Sequence, residues 1–154
     1  GDRMDYAIQK SVELGVSEIT PMFSEFSEVR IKDEVRIDNK RRHWQKIARS
    51  ACEQCGRYTI PTINQPIHFN NFIENEQNEI LVLLDPAGTK KLKNISWEEK
   101  ICLIAGPEGG FASNELKMAR QKAHIVNLGH RVLRSETAPL VALTIVQSEF
   151  GDLN

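Results

Sequence analysis

Three short stretches carry the residue types best suited to holding a small molecule: Asp85-Pro86-Ala87-Gly88, Gly106-Pro107-Glu108-Gly109-Gly110-Phe111, and Leu128-Gly129-His130-Arg131-Val132-Leu133-Arg134-Ser135-Glu136-Thr137-Ala138. Glycines in such loops let a ligand approach the backbone, and the N–H groups they leave exposed can meet its polar edge. Any one of these stretches alone reads more readily as a tight turn. Three in succession, each following an apolar run, favour a pocket. Nothing in the chain matches a phosphate loop ending in Gly-Lys-Ser/Thr, and Gly106 to Gly110 lacks the spacing of a dinucleotide fingerprint. No lysine lies within that loop. An adenosine-bearing cofactor without phosphates is compatible with it; a nucleoside triphosphate is not.

Other reactive side chains point to less. Cys52-Glu53-Gln54-Cys55 spells a Cys-x-x-Cys, but on a helix the two thiols join an apolar stripe, with no second pair and no clustered histidines. They read as small core residues, as does Cys102 inside an apolar run, and no metal site is expected. His43 and His68 have no chemical neighbours in sequence, His124 opens a strand, and His130 falls in the third loop, lining a pocket or simply wet. Trp44 and Trp97 read as packing residues, although Trp44 beside Arg41 and Arg42 also suits a base-stacking platform.

The elements that must position the three stretches alternate between helical and strand patterns. Met4, Ala7, Ile8 and Val12 predict a first helix, with Gly15 at its end. Glu18 to Phe23 reads as a short strand, and Glu28 to Arg36 as an edge strand or loop. Asp38 is the expected cap of a long helix whose stripe is Trp44, Ile47, Ala48, Ala51, Cys52 and Cys55 and whose end is Gly56. Ile80 to Leu84 and Ile101 to Ala105 are continuous apolar runs, the signature of strands buried on both faces. A helix from Ser113, a strand from Ile125 to Leu128 and a last helix marked by Ala138, Val141, Ala142, Ile145 and Val146 complete the series, with Pro139 tolerable in its first turn. The alternation predicts an α/β fold with a mostly parallel sheet flanked by helices. In such sheets ligands collect beyond the carboxyl ends of the strands, where all three stretches lie.

Composition sets the outer bounds. At 154 residues the chain fits one domain, with 40% hydrophobic and 27% charged residues. Disorder, a collagen-like repeat and a disulfide-stapled mini-protein are excluded. The formal charge is −1, from 20 Lys+Arg against 21 Asp+Glu, so an all-over basic coat is excluded. The distribution is nevertheless uneven: nine Lys/Arg face five acids between Glu28 and Ile60, whereas three Lys face six acids between Asn71 and Glu99. The basic tract suits a solvated helix face or a phosphate-contacting surface built from Lys40, Arg41, Arg42, Arg49 and Arg57. No apolar run approaches the roughly 20 residues of a membrane span, and no signal peptide is visible. Three cysteines fit a reducing compartment, so a cytoplasmic location is expected. The chain opens on Gly1-Asp2-Arg3 rather than Met, which reads as a domain cut from a longer protein.

The second and third stretches together carry a resemblance. Gly106-Pro107-Glu108-Gly109-Gly110-Phe111 followed by Leu128-Gly129-x-Arg131-x-Leu133-Arg134-x-Glu136-Thr137-Ala138 resembles the RsmE family of the SPOUT superfamily, the 16S rRNA (uracil-N3)-methyltransferases. Earlier segments agree in order: Gly1-Asp2-Arg3-Met4-Asp5, Glu13-Leu14-Gly15-Val16, Ile19-Thr20-Pro21, Trp44-x-Lys46-Ile47 and Glu53-Gln54-x-Gly56-Arg57. Two departures are His130, where proline is common, and Pro139, where a small aliphatic residue is common.

The resemblance implies a C-terminal trefoil knot, an exception to unknotted topology. It also implies a homodimer whose active site uses both subunits, 16S rRNA of the 30S subunit as substrate, and S-adenosylmethionine as cofactor. Residues 1–154 would be the methyltransferase domain, without the PUA-like barrel that normally precedes it. The implied cofactor residues are Leu84, Asp85, Pro86 and Gly88, then Ala105, Gly106, Pro107, Glu108, Gly109 and Gly110, then Leu128, Gly129, Arg131, Val132 and Leu133. Methylating uracil N3 requires removing its proton or stabilising the anion left behind. Glu136 is then the candidate base or orienter and Arg134 the anion stabiliser. Arg57 grips RNA or faces the partner's site, and Arg41, Arg42 and Arg49 contact RNA. Glu136 equally suits a helix start or a salt bridge with Arg134, and Glu108 suits bracing its own loop. A noncatalytic RNA-binding or dimerisation module and a ribose 2′-O-methyltransferase are the alternatives.

Overall fold

The computed structural model describes residues 2–27, 33–77, 79–97 and 100–153. Seven strands and five α-helices are assigned among them, and every strand pairing is parallel. The chain is a mixed α/β fold with parallel sheets flanked by helices.

Helix α1 (Asp2–Glu13) buries Ile8 and Val12 against α2 (Glu34–Cys55), which contributes Trp44, Ala48, Ala51 and Cys52 to the same core. Gly15 (φ +86°) reverses the chain after α1, and an added Cβ there would meet the side chain of Gln147. Gln147 in turn donates from Nε2 to the Leu14 carbonyl, tying the last helix to the end of the first. Helix α2 starts five residues before the expected Asp38: Asp33 is the cap, its carboxylate accepting from the Val35 N–H at 3.0 Å. Asp38 is simply an exposed residue of the second turn. Gly56 ends the helix in the left-handed region (φ +81°), as its sequence position predicts. Cys55 leaves the expected stripe and is exposed. The expected edge strand or loop at Glu28 to Arg36 falls outside the described residues up to position 32; Glu34 to Arg36 are helical.

The single strand expected over Glu18 to Phe23 is two: β1 (Glu18–Ile19) and β2 (Met22–Phe23). Pro21, which has no N–H to give a ladder, stands between them. They pair with β3 (Thr62–Ile63) and β4 (Ile67–His68), which carry no alternation long enough to be read in sequence. Helix α3 (Phe69–Asn75) follows, with Phe69 and Ile73 buried.

The main sheet has the order β6-β5-β7. β5 (Ile80–Leu84) and β6 (Ile101–Ala105) occupy the expected residues. β7 (Ala123–Val126) begins and ends two residues earlier than expected, so that Leu128 belongs to the following loop. β5 is buried on both faces. Leu81 and Leu83 join Phe69, Ile73, Phe111 and Ala119 on one side, where α3 and α4 (Ser113–Ala119) pack. Val82 and Leu84 join Leu92, Ile95, Val126 and Ala142 on the other, under α5 (Ala138–Phe150) and a single 3₁₀ turn, Leu92–Asn94. Burial of each large aliphatic side chain contributes about 1.5–3 kcal/mol, which is why the central strand tolerates no polar residue.

Candidate cofactor and RNA site

Register brings the three loops together. Leu84 at the end of β5 is level with Ala105 of β6 and with Val126 of β7. Adjacent strands lie about 4.8 Å apart, so the loops after β5, β6 and β7 leave one sheet edge within about 10 Å of each other.

The glycines divide into two kinds. A Cβ on Gly88 would stand 2.6 Å from the Val126 carbonyl carbon and 2.8 Å from the Asn127 nitrogen, so this glycine is required by close backbone packing against β7. A Cβ on Gly106 would stand 2.8 Å from the Phe111 ring, and one on Gly109 3.0 Å from the Phe26 Cβ. Gly110 (φ +73°) and Gly129 (φ +113°) differ: both have positive φ, and an added Cβ would meet nothing within 4 Å. Free space therefore lies beside two glycine backbones, the arrangement a binding loop needs.

The first loop is held by its own carboxylate. Asp85 Oδ1 accepts from the Ala87 N–H at 2.8 Å, and the Asp85 N–H donates to the Val126 carbonyl at 3.0 Å. Pro86 is exposed, Leu84 is buried and Asp85 is half-buried. In the second loop, which also takes in half-buried Ala105 and Pro107, the Gly110 N–H donates to the Pro107 carbonyl at 2.9 Å. Glu108 pairs with Arg3 of α1, so it braces its loop from outside rather than from within. In the third loop Arg131 and Val132 are exposed, and Leu128 and Leu133 are half-buried. Arg134 is exposed, its carbonyl accepting from the Thr137 and Ala138 N–H groups to open α5. Half-buried Glu136 accepts from the Ser135 hydroxyl at 3.3 Å, and among the described residues no ion pair joins it to Arg134.

Two functional positions escaped sequence reasoning. Asn127 stitches the first loop to the third: its Nδ2 donates to the Gly88 carbonyl at 3.0 Å, and its Oδ1 accepts from the Gly129 N–H at 3.0 Å. An Asn closing an apolar strand was the available signal. Glu115 is only 3% exposed; its two oxygens accept from the Ala112 and Glu25 N–H groups, both at 2.9 Å. It thereby fixes the 24–27 turn, whose Phe26 covers Gly109. Here the signal was a Glu three residues after the residue that caps α4.

The basic residues do not form one uniform face. Arg42 and Arg49, two turns apart on α2, are exposed. Arg41 Nε donates to the Ile63 carbonyl at 2.9 Å. Arg57 Nη1 donates to the Val12 and Val16 carbonyls at 2.8 and 2.9 Å, where it closes the end of α1. Trp44 is buried in the α1–α2 core, which bears out the packing reading and rules out its alternative as a base-stacking platform. Trp97 packs on Phe150. Burial pushes the Cys102 thiol up to about 12. Among the described residues, no group of three or more His, Cys, Asp and Glu is placed to hold a metal, and no helix is long and apolar enough to cross a membrane.

Fold and loops together define an α/β protein whose three glycine-bearing loops leave the same end of a parallel sheet. The chain belongs to the RNA methyltransferase domain family, whose model matches residues 1–147. It is similar to the ribosomal RNA small subunit methyltransferase E of Buchnera aphidicola, 40% identical across 98% of this chain and 60% of that protein, and to that of Bacillus subtilis, 29% identical across 95% and 61%. These relatives bear out the resemblance to the RsmE family. The methyltransferase E of Neisseria gonorrhoeae, solved bound to S-adenosylmethionine, superimposes with a TM-score of 0.92 at 37% identity, over 100% of this chain and 64% of that one. A Legionella pneumophila methyltransferase in complex with the same cofactor gives 0.92 at 38% identity, over 97% and 62%. The chain thus spans a little over three-fifths of the length of these relatives.

Proposed function

We propose that residues 1–154 form the methyltransferase domain of a cytoplasmic, S-adenosylmethionine-dependent enzyme that methylates N3 of a uridine in 16S rRNA of the small subunit. The observation that carries this reading is the open space beside Gly110 and Gly129 on two of three loops that leave one sheet edge together, in a fold shared with relatives solved with that cofactor.

The loop residues fit the group. Leu84 to Pro86 and Gly88, Ala105 to Gly110, and Leu128 to Leu133 (His130 aside) would surround it with backbone N–H and carbonyl groups and apolar side chains, which suits an adenosine without phosphates. Bound there, the cofactor supplies an electrophilic methyl on a sulfonium, and the displacement needs no metal. The chain's own contribution is positioning, which can supply several kcal/mol of a barrier. Glu136, not spent on capping α5 and not paired with Arg134, is available to accept or orient the N3 proton. The exposed Arg134 guanidinium is available to stabilise the resulting uracil anion. Arg42 and Arg49 are the better RNA contacts on α2, since Arg41 and Arg57 each hold backbone carbonyls. The target base must leave its stack to reach the loops.

A homodimer is supported by α5: the helix is apolar along most of its length, yet within one chain only Ala142 is buried. A helix apolar on all sides needs cover on all sides. The trefoil knot is supported by family membership, and by the 85–91 segment lying beside the end of β7, where Lys90 bridges Val126 and the Gly88 carbonyl accepts from Asn127.

The test is methyl transfer from labelled cofactor to 30S particles that lack the modification, followed by nucleoside digestion and mass analysis. 3-Methyluridine is the expected product; 2′-O-methyluridine, or RNA binding without transfer, would overturn the reading. Glu136→Gln and Arg134→Ala should each lower turnover at least tenfold, and normal turnover in both would remove their assigned roles.

A further inference from the structure

A second polar groove opens on the α5 face of the sheet, outside the cofactor loops. The 89–91 segment acts as an extra edge to β7: Lys90 bridges Val126 in parallel, and its carbonyl accepts from the Asn127 N–H at 3.2 Å. His124 stands two residues before Val126 on β7 and so shares its face, the face packed by Leu92 and Ile95. Between β7 and the 3₁₀ turn lies a cavity of about 530 Å³ lined by Lys90, Lys91, Asn94, Ser96 and His124, among others.

The charge in this groove is one-sided. Lys90 Nζ lies 2.8 Å from His124 Nδ1, so the ammonium donates to a neutral ring. Lys91 Nζ donates to Asn127 Oδ1 at 2.8 Å. Both lysines are thus held by neutral acceptors, and among the described residues neither pairs with a carboxylate. Two adjacent ammoniums in a concave site attract an anion, and the hydroxyl and amide of Ser96 and Asn94 can add neutral hydrogen bonds to it. The tally of three Lys against six acids across this half of the chain concealed the cluster.

Location identifies which anion. Asn127 contacts Lys91 on the groove side and Gly129 and Gly88 on the loop side, so the groove adjoins the third loop through a single residue. We infer that Lys90 and Lys91 hold a backbone phosphate of the RNA strand beside the nucleotide presented to the loops. Phosphate contacts of this kind fix register and orientation without reading sequence. This site rests on the RNA methyltransferase reading and adds to it a substrate contact separate from the α2 arginines.

The experiment measures binding of a short uridine-containing single-stranded RNA to the whole chain by fluorescence anisotropy across a salt series. The comparison variant is Lys90→Gln/Lys91→Gln, which removes both charges while retaining donors; a urea melt checks its folding, and cofactor calorimetry checks its loops. Affinity at low salt should fall about tenfold, and the slope of log K against log salt should flatten by about 0.7, the value for one phosphate on a single strand. Cofactor affinity should not change. The His124 ring resonances should shift on adding RNA. An unchanged slope in a folded, cofactor-binding variant would overturn the groove and leave the enzyme reading standing. Equal His124 shifts with inorganic phosphate alone, together with unchanged RNA affinity in the variant, would overturn it in favour of a free-anion site. Failure of the wild-type chain to bind RNA at all would overturn it together with the RNA half of that reading.

Discussion

Removing the buried carboxylate of Glu115 gives the sharpest energetic prediction. Its two oxygens each accept one backbone N–H at 2.9 Å, from Ala112 at the start of α4 and from Glu25 in the turn that covers Gly109. A hydrogen bond to a charged group contributes about 1.5–3 kcal/mol net, and water can reach the Glu25 side more readily than the Ala112 side. Glu115→Ala should therefore cost about 2–4 kcal/mol. Glu115→Gln keeps one acceptor but turns an NH2 toward the other N–H, and should cost about 1–2 kcal/mol. For a chain of this size each kcal/mol moves Tm by about 2–4 °C, so the alanine variant should melt roughly 4–16 °C lower. Urea unfolding followed by circular dichroism measures the stabilities, and amide exchange at Ala112 and Glu25 localises the effect. If Glu115→Ala unfolds within about 0.5 kcal/mol of wild type, the carboxylate is not the strut described.

Three further outcomes follow from the same geometry. Gly88→Ala should lower stability by about 1–3 kcal/mol because its Cβ meets β7 backbone, and Gly129→Val should lose stability for a different reason, the strain of a β-branched residue at φ +113°, while also weakening cofactor affinity; urea melts and calorimetry on both variants check each. His124 titrates below its usual 6.5, first through burial and then through Lys90; its folded pKa lying below the unfolded one, it contributes stability that is present above pH 6.5 and lost as pH falls through the folded value, and an NMR titration should give a midpoint under 6.5 that rises in Lys90→Gln. Exposed Cys55 should react with a thiol reagent in the native state at neutral pH, while Cys102, with its thiol raised to about 12, should react only on unfolding, as peptide mapping after labelling will show.

The parts of this fold that rest on long, uniform apolar patterns were legible in sequence. Ile80–Leu84 and Ile101–Ala105 form strands at the expected residues because both faces of each are covered. Gly56 ends α2 because its φ of +81° suits few other residues. What was not legible depends on partners distant in the chain. β1 to β4 are two residues each and exist through pairing across some 45 positions, such as Glu18 with Thr62. Asp33 rather than Asp38 caps α2, because either aspartate satisfies the local pattern and only the chain path selects between them. Within the candidate site, sequence located the loops but could not separate Gly88 and Gly106, which answer to packing, from Gly110 and Gly129, which face open space. Nor could it show that Arg57 ends on the carbonyls of α1, or that Glu108 reaches Arg3. These are tertiary facts carried by side chains whose types permit several partners.

The central proposal is that the three level loops hold the cofactor. A crystal structure of this chain grown with S-adenosylmethionine tests it most directly. Density for the cofactor against Gly106 to Gly110 and Leu128 to Leu133, with contacts beside Gly110 and Gly129, is the predicted result. Density elsewhere, such as in the Lys90–Lys91–His124 groove, or empty loops at saturating cofactor, would contradict it.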